Sequence, residues 1–382
     1  MLTPRSTLTR RVMAALDASP SRIPVLLGGC GTGRTTLLHQ LRDRTPGTAS
    51  LYLDVERTAT TPERFLRAVA AAVPFPAGEA SPGGTRAAFD AVLALFGRAR
   101  AGGSEPPTFL LDEFLELRTF ESFPGLRRVL HDFVEGVSAS VNRFVLTSRY
   151  TARTLRLLRD HAARFEVIHV PPLTPEDTVD ILGPVGSDGT PGHAPDAEYA
   201  ARTVQALADG RPAYVRALAD ELAAMGGHGG SDVVSALAAL FATEGRLAKQ
   251  CGFCYELRLH RARGYGALKA ILEILADEEG LTLTEISQRL QRTPGSTKDY
   301  LSWLEDVDLV TAQQKHYSFT DPLLRLWVRL HCRASQPTED DLAREVHRYA
   351  LPRLPHPAPP PPAPEPAFAM VSAGGSGIIE ID

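Results

Sequence analysis

The stretch that decides the fold runs from Val25 to Leu38 and reads VLLGGCGTGRTTLL. A short apolar run ends in a glycine-rich loop, and the loop leads into a segment with the apolar spacing of a helix. From Gly28 onward the residues fit the pattern G-x-x-x-x-G-K-S/T, with arginine at the lysine position. Glycines allow backbone N–H groups to curl around an anion, and the N-terminus of the next helix adds positive partial charge. The stretch therefore predicts a strand, a phosphate-binding loop and a helix.

The residue types in this loop suit a nucleotide bound with a metal ion. Arg34 would supply charge to the terminal phosphates, and the hydroxyl of Thr35 would bind Mg²⁺. A glycine-rich turn without any ligand is the alternative, and the replacement of lysine by arginine keeps it open. The loop residues expected to contact the nucleotide are Gly28, Gly29, Cys30, Gly31, Thr32, Gly33, Arg34, Thr35 and Thr36.

Nearly all-apolar strands alternate with helical segments as far as Pro172, which is typical of a parallel α/β sheet. An amphipathic helix, Ser6–Leu16, precedes the first strand. Beyond Pro172 the pattern becomes helical. The predicted strands are Ile23–Leu27, Ser50–Val55, Thr108–Phe114, Asn142–Arg149 and Phe165–Val170.

Polar residues close the third and fourth predicted strands. Asp112 would hold the Mg²⁺ shell, and Glu113 would orient or deprotonate the attacking water. Parallel strands bring their C-terminal ends to one edge of the sheet, so Arg149 would face the terminal phosphate and report nucleotide state. Surface acids that cap a helix and plain strand-end polarity are the simpler alternatives.

Two further arginines are candidates for contact with the nucleotide. Arg164 begins the fifth strand, from which an arginine finger could reach the nucleotide of a neighbouring subunit in a ring or filament. A surface role is the alternative for Arg164. Arg211 opens a helix in the following helical region, where it could close onto the phosphates, with Arg216 one turn on as the second choice.

From Tyr265 the pattern of three helices and a hairpin predicts a winged helix, with Ser296–Leu304 as the recognition helix. Between Arg258 and Cys332 ten Lys/Arg residues balance ten Asp/Glu residues. Because affinity for DNA depends largely on phosphate neutralisation, this balance favours docking to protein at least as much as duplex binding. Lys298 and the wing residues 313–316 are the best candidates for DNA contact.

The cysteines and the C-terminal tail each leave two readings open. Cys251-x-x-Cys254 could be a redox pair or half a zinc site, but two buried cysteines one helical turn apart is the favoured reading. An exposed thiol at Cys30 would make nucleotide binding sensitive to oxidation. The proline-rich tail is predicted to be disordered, and its end, Ile378–Asp382, is either unstructured or a motif that docks on a partner.

The bulk properties are those of a multidomain globular protein. The chain has 382 residues, is 43% hydrophobic and carries a formal net charge of −4, which argues against a globally basic nucleic-acid coat. No apolar run approaches the about 18 residues of a membrane span. The basic N-terminus lacks the apolar core of a signal peptide, and four cysteines in this length favour a reducing cytoplasm. The expected divisions are an N-terminal helix (1–22), a core (23–172), a helical lid (173–248), a winged helix (249–333), a C-terminal helix (334–352) and the tail (353–382).

The motifs GGCGTGRTTLL, FLLDEF, LTSR, DGRPAYV and FTDPLLRLWV resemble those of the AAA+/STAND ATPases, in particular the archaeal-type ATPases that also occur in bacteria. The resemblance covers about Ile23 to Leu330. It implies a P-loop NTPase core of the ASCE/AAA+ type, ATP and Mg²⁺ as ligands, and slow, switch-like hydrolysis. It gives Thr35 and Asp112 as Mg²⁺ ligands, Glu113 as the base and Arg149 as the sensor. The departures are Arg34 in place of lysine and the absence of the F-x-G-R-x-x-E box that helps to hold adenine.

Three functions follow from these expectations. The leading hypothesis is an ATP-driven switch that signals to a protein partner through the winged helix and the tail, as a monomer or a homo-oligomer. The second is a DNA-acting ATPase, such as an initiator, a loader or a transposition helper. The third is a scaffold that binds nucleotide without turnover.

Overall fold

The computed structural model describes residues 5–44, 50–73, 83–98, 106–183, 194–226, 230–260, 262, 264–333 and 335–355. The predicted docking motif Ile378–Asp382 and nearly all of the proline-rich tail lie outside the described residues. No helix in the described ranges is both long enough and apolar enough to cross a bilayer.

A parallel five-stranded sheet forms the N-terminal core, in the spatial order β2-β3-β4-β1-β5. Every residue of β1 and β3 is buried, and so are the last five of β4, because helices cover both faces of the sheet. The outer strand β2 instead alternates between half-buried and buried positions. The five strands are β1 (Ile23–Leu27), β2 (Ser50–Asp54), β3 (Thr108–Asp112), β4 (Arg143–Ser148) and β5 (Phe165–His169).

The alternation of side chains along β1 divides the core between the two faces of the sheet. Leu26 points to a small cluster that includes Leu8 and Val12 of the N-terminal helix and Leu38 of the helix after β1. Val25 and Leu27 belong to the larger cluster on the opposite face. The core helices are α1 (Ser6–Asp17), α2 (Arg34–Arg44), α3 (Val55–Thr58), α4 (Pro62–Ala72), α5 (Thr85–Arg98), α6 (Val129–Ala139) and α7 (Thr151–Leu158).

A helical region follows β5. Thr174 caps its first helix through a reciprocal capping box with Asp177, as the Thr-Pro-Glu-Asp sequence predicts. The last helix of the region, which the sequence pattern did not reveal as an element, lies between the other lid helices and the winged helix. The helices are α8 (Pro175–Leu182), α9 (Ala194–Leu207), α10 (Pro212–Met225), α11 (Gly230–Phe241) and α12 (Arg246–Leu259).

The predicted winged helix is present, with a three-stranded sheet in the order β6-β8-β7. Its final helix packs against α12, and a further helix, α17, packs on both α11 and α16. The hydroxyl of Tyr349 on α17 also donates to the carbonyl of Leu207 at the end of α9. These contacts join the winged helix to the helical region. The elements are α13 (Tyr265–Asp277), β6 (Leu281–Thr282), α14 (Leu283–Leu290), α15 (Pro294–Asp306), β7 (Val310–Gln313), β8 (His316–Phe319), α16 (Pro322–His331) and α17 (Glu339–Ala350).

Candidate nucleotide-binding site

The glycine-rich loop has the curled backbone that its sequence predicts. Gly31 and Gly33 have φ of 78° and 84°, in the left-handed region that favours glycine. The hydroxyl of Thr32 donates to the carbonyl of Gly29 at 2.9 Å, and a Cβ added at Gly28 would lie only 2.8 Å from that hydroxyl oxygen. The loop is therefore closed on itself, and Gly28 has no room for a side chain. Helix α2 starts directly behind it at Arg34.

The guanidinium of Arg34 spans the loop and the end of β3. Its Nη1 donates to the carbonyl of Gly29 at 2.6 Å, and its Nη2 donates to Oε1 of Glu113 at 2.5 Å. The side chains of both partners are at least nine-tenths buried. A planar fork can satisfy two acceptors in different directions at once, which a lysine ammonium on a single flexible stem does less readily. Arginine at this position therefore connects the loop to the acidic pair.

The carboxylate of Asp112 accepts hydrogen bonds from three hydroxyl groups at the edge of the sheet. Its Oδ2 accepts from Thr35 at 2.7 Å and from Tyr52 at 3.1 Å, and its Oδ1 accepts from Thr147 at 2.5 Å. The structure thus brings together the two predicted Mg²⁺ ligands, Thr35 and Asp112. Hydroxyl and carboxylate oxygens are the hard ligands that Mg²⁺ prefers, so these residues fit the ion.

Glu113 adopts the left-handed conformation, with φ of 57° and ψ of 49°. A non-glycine residue held in this region costs free energy, and such residues concentrate at functional sites. Its backbone N–H donates to the hydroxyl of Thr147 at 2.9 Å, and its Oε2 accepts from the backbone N–H of Arg149 at 3.0 Å. The turn therefore aims the carboxylate back toward the loop.

The charges around Glu113 decide its protonation. Burial alone would raise the pKa of this carboxyl, but Arg34 and Arg149 lower it to about 2. Nε of Arg149 lies 3.2 Å from Oε2 of Glu113, and its Nη2 pairs with Glu56 at the start of α3. Despite its burial, these neighbours raise the pKa of Arg149. Arg34, Glu113, Arg149 and Glu56 form a continuous series of alternating charges, called the charge chain below.

Arg211, which the sequence predicts could close onto phosphates, lies against the loop. Its Nη1 donates to the carbonyl of Cys30 at 3.1 Å and to Oδ2 of Asp321 at 2.8 Å, and its contact with a nucleotide stays a prediction. Its Nη2 donates to the carbonyl of Thr320 at 2.8 Å. Asp321 also accepts from the hydroxyl of Tyr214 at 2.8 Å and caps α16. In this conformation Arg211 links the loop to the winged helix.

The expected arginine finger is held inside its own chain. Nε of Arg164 donates to the carbonyl of Ser138 and Nη2 to that of Ser140, at 3.3 and 3.2 Å. These carbonyls lie at the C-terminal end of α6, where unpaired backbone acceptors are available. The guanidinium thus caps a helix, and the role in a neighbouring subunit stays a prediction.

Within the described ranges, two cavities border the loop. The larger has a volume of about 410 Å³ and is lined by residues 31–36 together with Pro212, Arg216 and Gln250. The smaller, of about 50 Å³, lies beside it and is lined by Arg5, Leu173 and other residues. The larger volume is within the usual range for small-molecule sites. A polyphosphate bound in this cavity would lie between the glycine-rich loop and helices α10 and α12.

Sequence reasoning missed three residues of this site. Tyr52 donates to Asp112, Glu56 ends the charge chain, and Arg5 faces the smaller cavity with both Nη atoms buried and without a hydrogen-bond partner among the described residues. The alternation of β2 was a usable signal for Tyr52, because it puts Ser50, Tyr52 and Asp54 on one face. No comparable local pattern marks Arg5 or Glu56.

The expected zinc alternative finds no support among the described residues, where no group of three or more His, Cys, Asp or Glu side chains could hold a metal ion. The ring of His331, a potential zinc ligand that follows the C-x-x-C motif in the sequence, contacts the carbonyl of Phe241 at 3.0 Å. Cys251 is buried, as the favoured reading predicts, whereas Cys254 is only half-buried.

The strand order, the loop after β1, the acidic pair after β3 and the C-terminal winged helix together define a class: the chain has the AAA+ Walker-type ATPase fold. It resembles the solved Walker-type ATPase of Pyrococcus abyssi with a TM-score of 0.62 at 16% identity, over 86% of this chain and 96% of that one. At this identity the likeness shows the fold alone.

Further comparisons match the C-terminal winged helix to a family model and the whole chain to solved structures with lower TM-scores. A family model described as a winged helix-turn-helix DNA-binding domain matches residues 267–311. The Orc1 protein of Aeropyrum pernix, solved in complex with DNA, has a TM-score of 0.44 at 16% identity, covering 91% of this chain and 93% of that one. Cdc6p of Pyrobaculum aerophilum has a TM-score of 0.42 at 16% identity, covering 93% and 96%. No curated protein matches the sequence of the chain.

The charge chain predicts a pH-dependent stability. Glu113→Gln should lower the free energy of unfolding at neutral pH by about 3–5 kcal/mol, since it leaves two buried arginines without their shared carboxylate. The pKa of Glu113 is lower in the folded protein than its ordinary value of 4.5, so its contribution is complete above pH 4.5 and is lost as the pH falls toward 2. Urea unfolding of both proteins across this pH range measures the difference.

A matched control for this experiment is Glu166→Gln, which removes a carboxylate from more exposed pairs with Arg11 and Arg22. Its effect should stay below about 1 kcal/mol. A gap between wild type and Glu113→Gln that does not shrink on acidification would contradict the assignment of the stabilisation to this carboxylate.

Proposed function

We propose that the chain is an ATP-binding switch with slow hydrolysis, whose winged helix transmits the nucleotide state to a protein partner. The observation that carries the proposal is the direct link from the loop carbonyl of Cys30 through Arg211 to Asp321 of the winged helix. One side of the loop lines the larger cavity, where phosphates could bind. The other side contacts the winged helix through Arg211.

Binding would use the loop and the larger cavity. The curled backbone between Gly28 and Gly33 supplies N–H groups, and Arg34 supplies charge at the start of α2. Thr35 and Asp112 would hold Mg²⁺, which neutralises phosphate charge when bound. Arg5 faces the smaller cavity with unpaired donors, which could bind the part of the nucleotide beyond the phosphates.

The charge chain explains why turnover would be slow. A general base works best with a pKa near the operating pH, and two arginines keep the pKa of Glu113 at about 2. Phosphates bound in the loop would compete with Glu113 for Arg34. Losing this partner would raise the basicity of the carboxylate and free it to accept a proton from water.

Hydrolysis provides the first test. Glu113→Gln should reduce ATP turnover by about 10²- to 10⁴-fold, the usual contribution of a general base. Arg34→Lys should raise turnover about tenfold, because it releases Glu113 from the guanidinium while keeping a positive charge at the loop. Phosphate release, measured with saturating ATP and Mg²⁺, reports both.

Glu116→Gln is the matched control, since its carboxylate contacts Tyr150 and Arg118 rather than Arg34. Its turnover should equal that of wild type. Equal rates for wild type and Glu113→Gln would rule out Glu113 as the base. ATP binding without turnover in wild type and in Arg34→Lys would favour the third function, a scaffold.

The link to the winged helix gives a second test. Asp321→Asn keeps a residue that caps α16 well but removes the charge that pairs with Arg211. A hydrogen bond to a charged group contributes about 1.5–3 kcal/mol, so this variant should release bound nucleotide about tenfold faster. Stopped-flow dissociation of a fluorescent ATP analogue measures the rate.

Glu198→Gln serves as the control, because it neutralises a carboxylate in an exposed pair with Arg202 on α9. Its dissociation rate should match that of wild type. Unchanged dissociation in Asp321→Asn would show that the winged helix does not communicate with the loop through this pair.

DNA binding is a second candidate function, favoured by the match of residues 267–311 to a winged helix-turn-helix DNA-binding family. Lys298 and Lys315 are exposed and available to a duplex. Against it, the C-terminal end of α15 is docked on the core, where Asp306 pairs with Arg156 of α7 at 2.6 Å. A duplex approaching α15 would meet this docked end.

The DNA alternative predicts salt-dependent binding to a duplex that is lost when Lys298 and Lys315 are both changed to Glu. The change Lys249→Glu, at an exposed position on α12 rather than on α15 or the wing, should leave such binding unchanged. Fluorescence anisotropy of labelled duplex at several salt concentrations measures it. Under the switch proposal, wild type shows no binding that depends on these two lysines.

A further inference from the structure

The thiol of Cys30 in the phosphate-binding loop faces α12. Nη2 of Arg258 lies 3.2 Å from Sγ of Cys30. Two turns earlier on α12, Nε2 of Gln250 lies 3.9 Å from the position of a Cβ at Gly31. Cys254 stands midway between Gln250 and Arg258 on the same face of the helix, which directs its thiol toward Cys30. Cys30 and Cys254 are separated by most of the core and the lid in sequence, so the fold alone brings them together. Both are half-buried rather than sealed in the core, which leaves access for a small reagent.

The spacing along α12 explains the arrangement. Cys254 and Arg258 are four residues apart and therefore lie on one face of the helix. That face is directed at the loop, and Nη1 of Arg258 also donates to the carbonyl of Asp308 in the winged helix at 2.9 Å. Cys251 lies one turn earlier and is fully buried. Of the two cysteines in the C-x-x-C motif, Cys254 is thus the one on the face directed at the loop.

The surroundings favour a division of roles between the two sulfurs. Despite burial, the neighbouring thiol of Cys254 and the charge of Arg258 lower the pKa of the Cys30 thiol well below its ordinary value. The neighbouring Cys30 thiol and burial raise the pKa of Cys254. A thiolate is the reactive form of cysteine toward peroxides and disulfides, and a neighbouring arginine is a typical way to stabilise it.

We propose that Cys30 and Cys254 form a peroxide-sensitive pair whose oxidation to a disulfide ties the phosphate-binding loop to α12. The thiolate of Cys30 would attack one oxygen of hydrogen peroxide, breaking the O–O bond and giving a sulfenic acid and hydroxide. The thiol of Cys254 would then displace the sulfenic oxygen, forming the S–S bond. Its proton leaves with that oxygen, so the second step releases one molecule of water.

The disulfide would act on the loop that contacts phosphates. The carbonyl of Cys30 already accepts from Arg211, and the carbonyl of Gly31 accepts from the backbone N–H of Ala213 at 3.2 Å. A covalent bond from the same residue to α12 would fix the loop against these elements. It would also remove the thiolate that partners Arg258. We therefore expect the oxidised protein to bind nucleotide more weakly, an effect that goes beyond the proposed switch and requires no hydrolysis.

The bond is tested by treating the full-length protein with hydrogen peroxide and mapping its peptides by mass spectrometry after blocking free thiols. Wild type and Cys251→Ser should both yield a Cys30–Cys254 disulfide that dithiothreitol removes. In Cys254→Ser the disulfide should be absent, and Cys30 should accumulate sulfenic acid that a dimedone probe captures. A Cys251–Cys254 disulfide, or no disulfide at Cys30, would overturn the proposal.

Nucleotide affinity is measured on the same samples by titration with a fluorescent ATP analogue. Peroxide should weaken binding at least tenfold in wild type and in Cys251→Ser, reversibly with dithiothreitol. Binding that stays unchanged although the Cys30–Cys254 bond has formed would overturn the effect on the loop. If the reduced protein does not bind nucleotide at all, the proposed function fails, while peptide mapping still decides whether the thiol pair exists.

Discussion

The structure depends on the neutralisation of buried charge at the C-terminal edge of the parallel sheet. Arg34, Glu113 and Arg149 are all less than 10% exposed, and none could be buried alone without a large desolvation cost. Each therefore needs the others, and Glu56 completes the charge chain at its more exposed end. This mutual need connects four separate parts of the core: the loop, the end of β3, the end of β4 and the start of α3. A ligand that takes the charge of Arg34 must alter the balance of all four.

A second group of charged side chains contacts the opposite side of the loop. Arg211 and Arg258 contact the carbonyl and the thiol of Cys30, and Asp308 approaches Gly29 from the winged helix. Burial raises the pKa of Asp308 to about 6, although both arginines act against this. The loop thus lies between two sets of ionisable side chains, one from the sheet and one from the lid and winged helix. A change in loop conformation would therefore alter the electrostatic environment of both sets of side chains.

Much of this architecture could be predicted because its signals are local. The apolar runs identified all five strands, and the glycine spacing identified the loop, since backbone conformation there depends on the residues themselves. The placement of Thr35 near Asp112 followed from the rule that parallel strands end at one edge. The contacts of Arg211 with Asp321 and of Cys30 with Arg258 could not be predicted. They join residues more than 100 positions apart and depend on how the helical region and the winged helix pack, which no local pattern encodes. Helix α12 was missed because its buried face is not uniformly apolar: it includes Tyr255 and Arg258.

The arginine at the position of the usual lysine now has a physical interpretation. An ammonium group carries charge to phosphates as a compact point, whereas a guanidinium extends a fixed fork with donors in different directions. Here one arm of the fork meets the loop carbonyl of Gly29 and the other meets Glu113. The position of this side chain therefore depends on the conformation of the loop, and the same side chain holds the carboxylate that would activate water. In a fold whose loop also contacts the winged helix, such a residue is suited to make turnover depend on what the winged helix does. Under the proposed function, the departure from lysine would change the control of turnover rather than abolish the site.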